Sequence, residues 1–559
     1  MKEVIKKEIN KAVKELFQKE VSFSIEYPES KFGDYSSNVA FSLSKDLGSN
    51  SREVAQKIAD YFNNNFKTFK KVEVAGPGFL NFFLADKIFT DNVASILKLK
   101  KKYGQSKINK GKKIIVEYSS PNIAKPFTVG HLRSTIIGDA LANILEFSGA
   151  KVIRDNHLGD WGTQFGKMIV AIKKWGDISK IKKSSQPVKD LVSLYVKFHE
   201  EAELDKNLDD EARGWFTKLE KKDKEAVRLW KLCIDLSSKE FEKIYKRLGI
   251  SFDTTVGESF FNDKMNPIVE EAVKKGIAKV SEGATLVFFE KDSPNGETSK
   301  YPPLMLLKSD GSSLYALRDL ATDTWRKKKY GKDSVIINEV GMEQSLYFKQ
   351  LFETEKLLGI SNGNDRFHIA HGLYSFKEGK MSTRKGNVIW LEEVLEEAKK
   401  RAEVFNKDVA EEVGIGAIKF NDLKRDSTKE IIFDWDEILN LGGDSGPYLQ
   451  YSSARAYSIL EKAKNKPKAV VPKDWTTSDV EKLLTRFSEV AERSALDLKP
   501  NQLALYLLDL AGAFNNFYTH NKIIGSGEGE KYRLAITEAF RTVLTNGLTL
   551  LGIKALKKM

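Results

Sequence analysis

Two stretches of this chain bring together residue types that suit phosphate chemistry. The first is EYSSPNIAKPFTVGHLR, from Glu117 to Arg133, set between a short β-rich run and a long helical pattern. Gly130 lets a nucleotide approach the turn closely, and His131 opens a helix whose free amides and dipole favour phosphate. A histidine at that point can donate a hydrogen bond to charge developing on ATP phosphates. The second is Gly379-Lys380-Met381-Ser382-Thr383-Arg384-Lys385-Gly386-Asn387, which carries three cations and two glycines. Such cations close over a triphosphate and neutralise charge as pyrophosphate leaves. Taken singly, the first also reads as an ordinary strand-to-helix turn and the second as a solvated basic loop.

These residues need a scaffold, and the pattern around them supplies one. Ile114 to Tyr118 reads as a buried strand, His131 to Phe147 as a helix ended by Gly149, and Val152-Ile153-Arg154 as the next strand. Strand, loop, helix, strand in that order predicts a parallel sheet with its site at the strand C-terminal ends. From 175 to about 289 the pattern turns mostly helical and charged, and the sheet resumes only at Val335-Ile336-Ile337, so this stretch reads as an insertion. Residues 1–105 read as a small mixed α+β domain, 106–433 as the sheet domain, and 434–559 as a helical domain with Leu503, Leu507, Leu508 and Phe514 on recurrent faces.

Composition narrows the class. A chain of 559 residues is several domains long. Cys233 is the only cysteine, which excludes a disulfide framework or a multi-thiolate zinc site and fits a reducing cytoplasm. No apolar run is long enough for a bilayer, and the N-terminal helix lacks a signal-peptide core. Lys and Arg number 91 against 78 Asp and Glu, a formal charge of +13, which favours polyanions such as RNA but equally describes a Lys-rich solvated surface.

About 250 residues apart, the two stretches form the paired signature of class I aminoacyl-tRNA synthetases. The resemblance is narrower than the class. SSPNIAKPF, HLRSTIIGD and Val152-Ile153-Arg154-Asp155-Asn156-His157-Leu158-Gly159-Asp160-Trp161-Gly162-Thr163-Gln164-Phe165-Gly166 are similar to the arginyl-tRNA synthetase family. So are Phe32-Gly33-Asp34-Tyr35, Gly76-Pro77-Gly78-Phe79, Gly446-Pro447-Tyr448-Leu449-Gln450-Tyr451 and Asn546-Gly547-Leu548, which extends the likeness to all three regions. It implies a class I Rossmann-like parallel-sheet catalytic domain, an N-terminal α+β domain that reads the tRNA elbow and a C-terminal all-α anticodon-binding domain. It implies a cytoplasmic monomer that activates L-arginine with ATP, magnesium arriving with the nucleotide, and transfers it to tRNA(Arg), activation requiring bound tRNA.

The resemblance also assigns residues. Lys125, His131, Lys380 and Lys385 take catalytic roles, and Thr128, Gly130, His131, Lys380, Met381, Ser382 and Arg384 hold ATP. A guanidinium is always charged and carries five N–H donors, so its pocket needs carboxylates. Glu258 and Asp319 match that role, with Tyr315 lining the pocket, while Glu117, Ser120, Asn122 and Gln344 match positions that hold the ammonium and carboxylate of the substrate. Phe79 and Asn81 match positions that meet a D-loop base. No side chain is assigned to a metal. Two positions depart from the class pattern: Thr128 replaces a histidine, and Thr383 replaces a lysine. A different class I synthetase or nucleotidylyltransferase shares the signature without reason for Glu258 and Asp319, and a catalytically silent RNA-binding relative is the non-enzyme alternative.

Overall fold

The computed structural model describes residues 1–289, 301–376 and 389–559. Its centre is a five-stranded sheet built from β1 (Lys113–Glu117), β2 (Lys151–Asn156), β3 (Thr254–Thr255), β4 (Val335–Gly341) and β5 (Arg366–His371), in the order β5-β4-β1-β2-β3. Every neighbouring pair is parallel. Ile114, Ile115 and Val116 are all buried, so β1 is apolar on both faces, as the middle strand of a covered parallel sheet must be. Helix α1 (Val129–Phe147) crosses from β1 to β2 with Leu132, Ile136, Ala140 and Leu141 in the core.

Registers set the floor of the site. Glu117 ends β1 opposite Asn338 of β4 and Asp155 of β2. Three polar residues thus meet at one level across the central strands, at their C-terminal ends.

The 175–289 stretch differs from the expectation of an insertion that leaves the sheet until Val335. It is helical from Ile178 to Leu248, but Thr254–Thr255 has already rejoined the sheet edge beside Asp155. A three-stranded antiparallel sheet follows, from Ala278–Ser281, Ala284–Val287 and Leu304–Leu307. These strands are two to four residues long, too short for period-two alternation to stand out in sequence. Helix α2 (Tyr315–Tyr330) then leads into β4.

Before the sheet domain, helices Lys2–Phe17, Val39–Leu47 and Ser51–Asn65 cover a four-stranded antiparallel sheet with its own apolar core around Phe62, Leu80 and Phe82. At the other end, helices Gly446–Lys462, Asp479–Asp497, Pro500–His520 and Glu530–Leu550 pack around Leu503, Leu507 and Phe514, with Phe514 stacked on Phe540 at 3.8 Å. Asn546 joins the two ends: its Nδ2 donates to the carbonyls of Lys100 and Tyr103 at 3.0 and 3.2 Å. A Cβ on Gly547 would stand 2.5 Å from Leu507, so the helices approach closely only with glycine there. Among the described residues no helix is long and apolar enough to cross a membrane.

Candidate active site

The turn between β1 and α1 is strained and tightly tied. Ser119, Ser120 and Ala124 have φ of 71°, 42° and 55°, a left-handed region that costs non-glycine residues about 1–3 kcal/mol each. Hydrogen bonds hold it. Ser119 N donates to Ser134 Oγ at 2.9 Å, Ser120 N to Asn156 Oδ1 at 3.1 Å, and Ala124 N to Ser237 Oγ at 3.0 Å. Asn122 lies against Gly159, where any Cβ would come within 2.5 Å of its Oδ1, and the two strands of chain bond through Ile123 and Pro121. The Ser120 hydroxyl is buried without a hydrogen-bond partner among the described residues.

Thr128 and His131 form the start of α1. Thr128 is the N-cap, its Oγ1 accepting from Gly130 N at 3.3 Å, while its own N–H donates to His131 Nδ1 at 3.2 Å. The arrangement is a capping box with histidine in the place usually taken by Glu or Gln. Burial, with the charges of Lys125 and His371 adding to it, lowers the His131 pKa to about 4. The ring is therefore neutral, receives on Nδ1 and carries its proton on Nε2.

The cationic segment at Lys380, Met381, Ser382, Arg384 and Lys385 lies outside the described residues, but its flanks do not. Val129 N donates to Ile389 O at 3.4 Å, Leu391 N to Phe127 O at 2.9 Å, and Thr128 bridges to Trp390. On the other side, Tyr374–Phe376 pairs in parallel with Ile431–Phe433. Arg133, one turn into α1 and fully buried, donates to the carbonyls of Gly372 (2.8 Å), Lys429 (2.7 Å) and Ser427 (3.1 Å) and to Asp422 at 3.3 Å. Asp422 also accepts from Tyr374 OH at 2.6 Å. The two signature stretches, distant in sequence, are thus joined at their roots.

Beside the turn lies a group of carboxylates. Glu117 Oε2 takes Arg326 Nη1 at 2.6 Å and Asn338 Nδ2 at 3.0 Å. Glu258, which opens a short 3₁₀ turn, holds Arg318 Nη1 on Oε2 at 3.3 Å. Asp319 takes the Tyr347 hydroxyl on Oδ2. In each case one oxygen is tied by a protein donor and the other makes no hydrogen bond or ion pair among the described residues. Burial raises the carboxyl of Glu258 despite Arg318, and it raises Asp319 to about 7 even against the Tyr347 hydrogen bond. Burial lowers the pKa of Lys125 while Glu258 opposes that shift, and the charge of Lys125 also bears on His131.

The remaining assigned residues are more peripheral. Tyr315 is 57 % exposed and meets the Tyr347 ring edge-on at 4.7 Å. Gln344 is exposed in the turn that follows β4. In the N-terminal domain Phe79 is exposed against Phe41 at 4.9 Å, whereas Asn81 is buried and its Oδ1 accepts from Ser36 at 2.8 Å. Nothing local in the sequence singles out Tyr347, Arg318 or Arg326. They come from helical stretches where a polar residue reads as a solvated face, and only the fold shows that Arg326 is buried among Glu117, Asp155 and Asp323.

Comparison with known proteins identifies the family and the fold. Residues 92–435 match the family described as class I (R) tRNA synthetases, catalytic domain; 449–559 match the DALR anticodon binding domain, and 2–84 the arginyl tRNA synthetase N terminal domain. An arginine–tRNA ligase of Clostridium perfringens is 43% identical over 551 residues, covering 95% of each chain. One from Streptococcus thermophilus is 42% identical over the full length of both. Among solved structures, arginyl-tRNA synthetase from Plasmodium falciparum aligns with a TM-score of 0.84 at 25% identity over 100% of this chain and 99% of its own. The Thermus thermophilus enzyme gives 0.81 at 24% over the whole of both, a likeness of fold.

Proposed function

This chain belongs to the arginyl-tRNA synthetase family, and on that premise we propose how its residues divide the work. The enzyme uses ATP to join arginine to tRNA. In the first step a carboxylate oxygen of arginine attacks the α-phosphorus, the bond to pyrophosphate breaks, and arginyl-adenylate forms. In the second a terminal ribose hydroxyl of tRNA attacks the adenylate carbonyl and AMP leaves. The nucleophiles are the substrates, so the protein contributes positioning and electrostatics.

The observation that carries the assignment is the half-satisfied carboxylate group. Glu258 and Asp319, each with one oxygen held and one without a hydrogen bond or ion pair among the described residues, suit the N–H donors of a guanidinium. Tyr315 closes over the side chain. Glu117, through its second oxygen, takes the substrate ammonium, with Ser120, Asn122 and Gln344 around the amino-acid backbone. His131 donates from Nε2 to ATP phosphate, Gly130 allows the approach, and Thr128 sets the helix start that aims the ring. Lys125 and, from the cationic segment, Lys380, Arg384 and Lys385 neutralise the departing pyrophosphate, with Met381 and Ser382 beside the nucleotide. Among the described residues no cluster of three or more His, Cys, Asp or Glu forms a metal site. Magnesium enters on the ATP phosphates, which supply hard oxygen ligands of the kind it prefers.

Phe79 and Asn81 meet the tRNA elbow, the helical domain meets the anticodon, the enzyme acts as a cytoplasmic monomer, and bound tRNA is needed for activation; this last part rests on family resemblance. Exchange of pyrophosphate into ATP reports activation alone. Arginine-dependent exchange that appears only with tRNA supports the reading, and vigorous exchange without RNA contradicts it.

A further inference from the structure

We propose that His157 is a further specificity-determining residue for arginine, its imidazole accepting a hydrogen bond from the substrate guanidinium; this rests on the reading of Glu258 and Asp319 as the guanidinium pocket. His157 is the first residue after β2, at the C-terminal end of the sheet. Its Nε2 is buried and has no hydrogen-bond partner among the described residues. A buried orphan of this kind is unfavourable unless something else pairs with it.

The surroundings define what that partner is. The next residue, Leu158, accepts from Glu258 N at 3.0 Å, which sets His157 against the segment that carries Glu258; Arg318, held by Glu258, immediately precedes Asp319, and Asp160 lies two residues beyond Leu158. Asp160 is already committed, taking Ser259 N at 2.7 Å and Ser259 Oγ at 2.6 Å. Phe261 covers the imidazole, with ring centroids 5.7 Å apart. What remains in this part of the site is the imidazole and one oxygen each of Glu258 and Asp319 that makes no hydrogen bond or ion pair among the described residues. A guanidinium brings five N–H donors, more than two single oxygens accept, and an imidazole nitrogen without a hydrogen is a third acceptor. The same acceptor rejects a urea analogue such as citrulline, which presents an oxygen lone pair where arginine presents an N–H.

Two variants test the idea. His157→Phe keeps an aromatic ring against Phe261 but removes both nitrogens, and His157→Gln restores an acceptor. The steady-state constants for arginine and ATP are measured on each, with a thermal melt to establish folding, and Asp319→Asn is run beside them. The inference expects His157→Phe to raise the arginine KM by about 10-fold or more, with kcat and the ATP KM within about 3-fold, and His157→Gln to recover most of the loss. An unchanged arginine KM in His157→Phe overturns it, and so does a Gln variant as impaired as the Phe variant, which would mark a steric role. If Asp319→Asn leaves the arginine KM unchanged, the pocket reading itself falls. If Asp319→Asn raises it and His157→Phe does not, only the present inference falls.

Discussion

The Thr128 backbone N–H donates to His131 Nδ1 at 3.2 Å, so the residue that departs from the class pattern is the one that aims the retained histidine. The consequence is a division of roles. Loss of the Thr128 hydroxyl removes a helix cap, worth about 1 kcal/mol, and its 3.1 Å contact with His131 Nδ1, but leaves the backbone donor to that nitrogen in place. Loss of the imidazole removes a donor to developing phosphate charge, about 2.7–4 kcal/mol. Thr128→Ala is therefore expected to lower stability modestly and turnover little, while His131→Ala lowers kcat about 100- to 1000-fold. Single-turnover rates of adenylate formation check both, and equal damage from the two would assign the phosphate contact to threonine.

The charge state of His131 gives a separate signature. With its pKa at about 4 in the folded enzyme, below the free value of 6.5, the neutral donor persists across the physiological range. The depressed value means that the stability contribution is full above pH 6.5 and is lost as pH falls towards 4. Adenylate formation measured from pH 8 downwards should show no inflection from this group near 6.5. His131→Asn should lose less melting temperature than the parent between pH 6.5 and 4.

Asp319 carries the opposite shift, and function and stability pull apart there. Burial pushes its carboxyl up to about 7, whereas the guanidinium-binding role proposed for it requires the ionised form. The arginine KM is expected to fall as pH rises through 7 in the parent, and this dependence should vanish in Asp319→Asn. That variant loses about 2–5 kcal/mol of arginine binding while the ATP KM changes little. A raised folded pKa means stability is full below the free value of 3.8 and is lost as pH rises through 7. Asp319→Asn should thus melt higher than the parent at pH 8 and equally at pH 3.5.

Arg133 and Asp422 form a buried ion pair whose removal leaves an uncompensated charge. Asp422→Ala is expected to cost about 3–5 kcal/mol in denaturant unfolding. Because Arg133 also ties the carbonyls of Gly372, Ser427 and Lys429, the variant should lose turnover beyond the stability effect. Arg133→Met with Asp422→Leu, an apolar replacement of both partners, should recover stability but not turnover. Full recovery of both would make the pair purely architectural.

Phe79 stands open on the N-terminal domain, and Asn81 beneath it has its Oδ1 held by Ser36. Stacking of a base on an exposed ring is worth about 1–3 kcal/mol, so Phe79→Ala should raise the tRNA KM about 5- to 100-fold. Asn81→Ala should also weaken charging while arginine and ATP constants stay fixed. Unchanged tRNA kinetics in both would return these residues to a packing role.

What was legible in the sequence follows from range. The β1 strand, the turn at Gly130 and helix α1 are contiguous, and apolar periodicity marks them without reference to the rest of the chain. The carboxylates Glu258 and Asp319 came from family likeness, because nothing local separates a pocket carboxylate from surface charge. Their partners Arg318 and Tyr347, like Arg326 beneath Glu117, were invisible for the same reason: each lies on a helix whose inward polar face only the packed sheet defines. His157 sat within a recognised string, but its unpartnered nitrogen exists only in three dimensions. The edge strand Thr254–Thr255 is too short to announce itself.

The most direct test of the whole account is charging of total tRNA with each of the twenty amino acids separately, in the presence of ATP. The carboxylate pocket predicts attachment of arginine alone. Attachment of a neutral or acidic amino acid, or none with arginine when tRNA is present, would contradict it.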